Sequence, residues 1–113
     1  MRKAGKVWGN TQLIESIPNA FEWHRICARA GHRCSRHKHA QKFNGFFVES
    51  GYLQITVWQP SGTVDVTDLL PGDYMAVPPG VEHRFSAIKD TVAFEVYWSQ
   101  FSPDDIERVD IGE

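Results

Sequence analysis

Short apolar segments rich in β-branched and aromatic residues recur along this chain at intervals of roughly ten residues, the spacing of a sandwich or barrel, and clusters of Gly, Pro, Asp and Ser separate them. Side chains alternate across a strand, so each segment has one face to bury and must pair into sheets that stack on one another. The pattern predicts an all-β fold with strands over residues 22–28, 34–39, 45–49, 51–59, 63–69, 74–77, 83–87 and 92–99. Turns at "QPSG", "LPGD", "VPPG" and "IKD" separate the later ones. One short C-terminal helical turn is expected in "SPDDIERV", with Ser102 as N-cap and Pro103 at the first position.

A chain of 113 residues fits one domain over 1–113, since domains cluster near about 100–150 residues. The formal net charge of -2 gives no reason to expect nucleic acid as a partner. The basic run Arg29, His32, Arg33, Arg36, Lys38 and Lys42 is balanced by acidic residues elsewhere. No stretch has the length and apolarity of a membrane span, and "MRKAGKVWGNTQLIE" lacks the apolar run of a secretion signal, so a cytoplasmic protein is expected, without a membrane partner. In that compartment Cys27 and Cys34 are free thiols.

The chemistry concentrates in "GHRCSRHKHAQKFNGFFVESG", residues 31–51. On a strand, residues i and i+2 share a face about 6–7 Å apart, so His37 and His39 can converge on one ion while Arg36 and Lys38 face solvent. Downstream, "GDYMAVPPGVEH" at residues 72–83 places His83 at the start of a strand, after a turn built on Pro78 and Gly80. Gly51, Gly72 and Gly80 occupy turns where a positive φ is needed.

Together these stretches resemble the two motifs of the cupin superfamily, the small phosphomannose isomerase-like cupins among them. Gly31, His37, His39 and Gly51 fill the first motif, and Gly72, Pro78, Gly80 and His83 fill the second. Two places depart: Asn44 stands where the family has a Glu, and Ala87 where it has an Asn. The resemblance implies a jelly-roll β-barrel, a double-stranded β-helix, with one divalent transition metal (Fe, Zn, Ni, Mn or Cu) held by His37, His39 and His83. It also implies a small-molecule substrate or ligand and a homodimer. Asn44 can then ligate through its amide oxygen, leave a place open for water or substrate, or mark the loss of metal chemistry; Gln41 is a second neutral candidate. The family includes dioxygenases, isomerases and lyases, and a non-catalytic binder of a carbohydrate-like ligand is the alternative.

Catalytic candidates come from "TVAFEVYWSQ", where Ala93, Glu95 and Tyr97 alternate with Phe94, Val96 and Trp98. Alternation separates the two sets without saying which faces the interior. Glu95 and Tyr97 therefore either look into the cavity or point to solvent. His24 and His32 read as packing or surface residues. Trp8, Trp23, Trp58 and Trp98 read as core or interface residues.

Overall fold

The computed structural model describes residues 2–99, 104, 105 and 107–112, with side chains from Lys6 onward. Among these residues nine strands form: β1 Arg2–Lys6, β2 Gly9–Ile17, β3 Phe21–Ala28, β4 Phe43–Ser50, β5 Leu53–Trp58, β6 Val64–Leu69, β7 Tyr74–Val77, β8 Glu82–Ala87 and β9 Thr91–Trp98. They make two antiparallel sheets, one ordered β1-β2-β3-β9-β4-β7 and the other β6-β5-β8. The all-β jelly-roll expectation is met. Among the described residues no helix is long and apolar enough to cross a membrane.

The interior is divided along the strands. Ile26 and Ala28 on β3, Phe46 and Val48 on β4, Phe85 and Ala87 on β8, and Ala93 on β9 are buried together with Leu53 and Ile55 of β5. At the other end the inward positions turn polar: His24 on β3, Asn44 on β4, His83 on β8, and Glu95 and Tyr97 on β9. Apolar burial at one end fixes the strands, and the polar end is held in place by that anchor. Ala87, at the family's Asn place, belongs to the apolar end.

The strand expected over residues 34–39 needs correction. Residues 34–39 form no continuous strand; they run beside β8 through two isolated bridges, Arg33 to Ser86 and His37 to His83. Between the bridges the Cys34 Sγ accepts the Phe85 N–H at 3.2 Å, in a place where a regular ladder uses a carbonyl. The helical turn expected in the tail falls largely outside the residues described. Ser102, Pro103 and Ile106 lie outside them, and the rest carry a turn and bends. Every described tail residue is exposed.

Finally, β1 and β2 form an N-terminal hairpin that extends the larger sheet beyond β3. Its polar, Gly-containing sequence carries little strand signal of its own. Pairing with β3 along the whole of β2 supplies what local propensity lacks.

Candidate metal centre

Backbone pairing delivers the three histidines to one point. His37 and His83 exchange both N–H···O=C bonds, at 3.1 and 2.8 Å, and the His39 carbonyl accepts the Gly80 N–H at 2.7 Å. Gly80 takes the positive φ, +81°, that its turn requires. Ring centroids lie 4.6–5.5 Å apart in the three pairs. One nitrogen from each ring falls within 4.8 Å of the others, without a regular strand under His37 and His39.

The hydrogen bonds set the tautomers. His37 Nδ1 lies 2.7 Å from the Ser35 carbonyl and His83 Nδ1 2.9 Å from the Val81 carbonyl. A carbonyl only accepts, so each Nδ1 carries a proton, and Nε2 is the ring nitrogen left to act as a ligand. His39 Nε2 is buried with no hydrogen-bond partner. Burial, then the Lys42 ammonium and the other two imidazoles, pulls the His39 pKa down to about 4. Burial likewise lowers that of His83. Three converging imidazoles, two of them with the outer N–H tied to a backbone carbonyl, are the donor set a divalent transition metal requires. The residues present fit the group.

Asn44, fully buried, completes the ring of donors. Its Oδ1 lies 2.9 Å from His83 Nε2, and its Nδ2 donates to Glu95 Oε2 at 3.2 Å. Glu95 and Tyr97 point inward, which settles the question that the alternation leaves open. Glu95 is 8% exposed, and burial raises its pKa against the opposing hydrogen bonds from Asn44 and Tyr97. Tyr97 is also pushed up, by burial first and then by the Glu95 carboxylate beside it. Its ring meets the His39 ring edge-on at 5.1 Å.

A cavity of about 490 Å³ opens beside this cluster, with His39 and Tyr97 in its wall along with Glu22, Lys38, Gln41 and Lys42. The Lys42 ammonium lies 4.3 Å from the centre of the Tyr97 ring. Gln41 thus lines the cavity, exposed, while Asn44 takes the buried place.

Sequence reasoning passes over His24, whose Nε2 is 3.1 Å from Glu22 Oε1 and whose ring meets Tyr97 edge-on at 5.8 Å. The signal was present in "FEWHRI", where Glu22 and His24 alternate on the face that Ile26 buries. His32 stays apart from the cluster. Cys34 is a buried core thiol raised by that burial to about 11, not a reactive one. Of the tryptophans, Trp8 packs edge-on against Phe85 at 4.8 Å, Trp98 lines the cavity, and Trp58 lies under the Arg36 guanidinium at 4.0 Å. Trp23 is exposed.

Comparison with known proteins agrees with the geometry. The structure is similar to KdgF from Halomonas sp., with a TM-score of 0.72 and 14% identity over 85% of this chain and 84% of that one. It is similar to the oxalate decarboxylase of Bacillus subtilis, a protein with Mn(II) centres, with a TM-score of 0.78 and 16% identity over 92% of this chain. The match spans only 29% of that larger protein. The cupin domain of Schizosaccharomyces pombe Cnp3 matches with a TM-score of 0.72 and 14% identity, over 84% of this chain and 67% of that one. At these identities the likeness is one of fold. A search of curated proteins finds no match. The family model of the cupin domain, however, matches residues 23–99, which include both motifs and every residue of the histidine cluster, and the chain belongs to the cupin family.

Proposed function

We propose that the protein is a metal-dependent enzyme acting on a small anionic molecule, with one divalent transition metal held by Nε2 of His37, His39 and His83 and by Oδ1 of Asn44. The observation that carries this reading is the buried, unpartnered Nε2 of His39, in a cluster where His37 and His83 spend Nδ1 on backbone carbonyls and the Nε2 of His83 lies against Asn44 Oδ1. Bound there, the ion would supply Lewis acidity toward an oxygen of the ligand. Three imidazoles and an amide are all neutral donors, so the ligand set itself leaves the ion's double charge uncompensated.

The cavity fits an anion. Lys38 and Lys42 line it, and the one carboxylate among the described lining residues, Glu22, is bonded to His24. Tyr97 stands in the cavity wall with the Glu95 carboxyl group beside it. That pair can hold a proton at the Tyr97 oxygen, toward a bound ligand, with the carboxylate behind it.

Elemental analysis of protein purified without a polyhistidine tag tests the site. One equivalent of metal, lost in the His37→Ala/His39→Ala variant, is expected; equal metal content in both proteins would sink the reading. Calorimetry with glycolate and its neutral isostere glycolamide tests the ligand class. Tighter glycolate binding, reduced in Lys42→Met, is expected.

The neutral Asn44 also favours a second reading, a non-catalytic metal-binding cupin that takes a small carbohydrate-like ligand. Oxygen consumption and product formation by iron-loaded and manganese-loaded protein, across thiols, diketones and sugar phosphates, separate the two. Turnover supports the enzyme, and saturable sugar binding without turnover supports the binder.

A further inference from the structure

We infer that Asn44 and Glu95 act as one pair, in which the buried Glu95 carboxylate selects the orientation of the Asn44 amide and so decides which atom the site presents to a metal. The inference rests on the reading that the three histidines hold one.

A primary amide is nearly symmetric in shape and opposite in chemistry at its two ends, and only its oxygen is a useful ligand. Asn44 is wholly buried, so water cannot satisfy whichever end is turned away. Nδ2 donates to Glu95 Oε2 at 3.2 Å, and that leaves Oδ1 against His83 Nε2 at 2.9 Å. Turned over, the amide would aim its N–H groups into the histidine cluster and set its oxygen against a carboxylate. Acceptor would face acceptor in buried ground, which is costly.

Glu95 reaches this position through sheet register. Asn44 pairs with Tyr97 and Phe46 with Glu95, so the inward side chains of β4 and β9 lie side by side. Glu95 thus acts through Asn44 and is a positioning residue. The negative charge that a Glu at position 44 would bring to the metal is kept one amide away. The two positions are also complementary: exchanging amide and carboxylate between them preserves the hydrogen bond.

Cobalt(II) affinity, read by chelator competition, and the cobalt(II) absorption spectrum test the pair. Removing a residue that orients a ligand typically weakens metal binding by about 10–100-fold. Glu95→Met should fall in that range and take on the spectrum of Asn44→Ala, while Glu95→Gln, whose amide oxygen still accepts, should bind nearly as the wild type. On an Asn44→Ala background Glu95→Met should add nothing. A full Glu95→Met effect on that background, or none on the wild type, overturns the inference.

Asn44→Asp/Glu95→Gln keeps the buried shapes and serves if Glu95→Met does not fold. At pH 8 it should bind cobalt more tightly than Asn44→Asp alone; equal affinities overturn the pairing. Wild-type protein that binds no metal overturns the metal reading and the inference with it. Metal binding that is indifferent to Glu95 overturns the inference alone.

Discussion

His83 Nε2 and Asn44 Oδ1 face each other at 2.9 Å, although the proton of His83 is committed to the Val81 carbonyl on the far side of the ring. Two lone pairs at that distance are favourable only with a cation between them, whether a proton or a metal ion. Burial and the neighbouring His37 disfavour the extra proton on His83. A divalent ion held there would relieve this contact.

Metal should stabilise the fold by mass action. At a free zinc concentration a thousandfold above Kd, linkage gives about 4 kcal/mol, readable as a rise in Tm. The His37→Ala/His39→Ala variant should melt at the same temperature with and without zinc. A wild-type melting curve unmoved by zinc, manganese and iron would contradict the site.

Metal-free protein should lose stability in acid below neutrality. His39 is held to about 4 in the fold, below the value of about 6.5 for an unfolded histidine. Between these values the unfolded chain binds more protons, so stability is fully present above about pH 6.5 and falls as pH drops toward 4. Urea midpoints measured from pH 7.5 to 4 should show this decline, and His39→Asn should flatten it. The lowered value of His83 adds in the same direction.

Phe46 links the apolar end of the interior to the polar end. It is fully buried, with its ring centroid 6.1 Å from that of Phe85 and 6.3 Å from that of His83. Phe46→Ala should cost about 3–5 kcal/mol in urea unfolding and weaken metal binding as well, since the cavity it leaves adjoins the His83 ring. Phe46→Leu should cost less on both measures. Stability lost with metal affinity intact would show that the two ends are independent.

Gly51 should resist substitution more than Gly62. Their φ values match, +96° and +95°, but a Cβ on Gly51 would run into the Asp90 carbonyl and Thr91, whereas one on Gly62 meets nothing. Gly51→Ala should cost at least about 1 kcal/mol, and Gly62→Ala less, by equilibrium urea unfolding. Equal costs would mean that left-handed strain alone governs both turns.

Much of this architecture is written locally. Two-residue alternation places seven strands within two residues of their ends, because the period of a strand and the turn chemistry of Gly and Pro belong to the segments themselves. The glycines at 51, 72 and 80 have the positive φ that their turns require. The HxH of residues 37–39 and the downstream His83 identify the cluster, though the strand geometry expected for the first two is replaced by an irregular run along β8. β1 and β2 escape a local reading because partners, not propensity, make them strands.

By itself, then, the sequence determined an all-β cupin with three histidines brought to one place, since spacing, turns and alternation are properties of neighbouring residues. Tertiary structure alone decided that Glu95 and Tyr97 face inward, that Lys42 and Glu22 border the cavity, and that the Asn44 amide leans on Glu95. The physical reason is register: Asn44 and Glu95 stand 51 positions apart, and only the pairing of β4 with β9 lays their side chains together on one buried face.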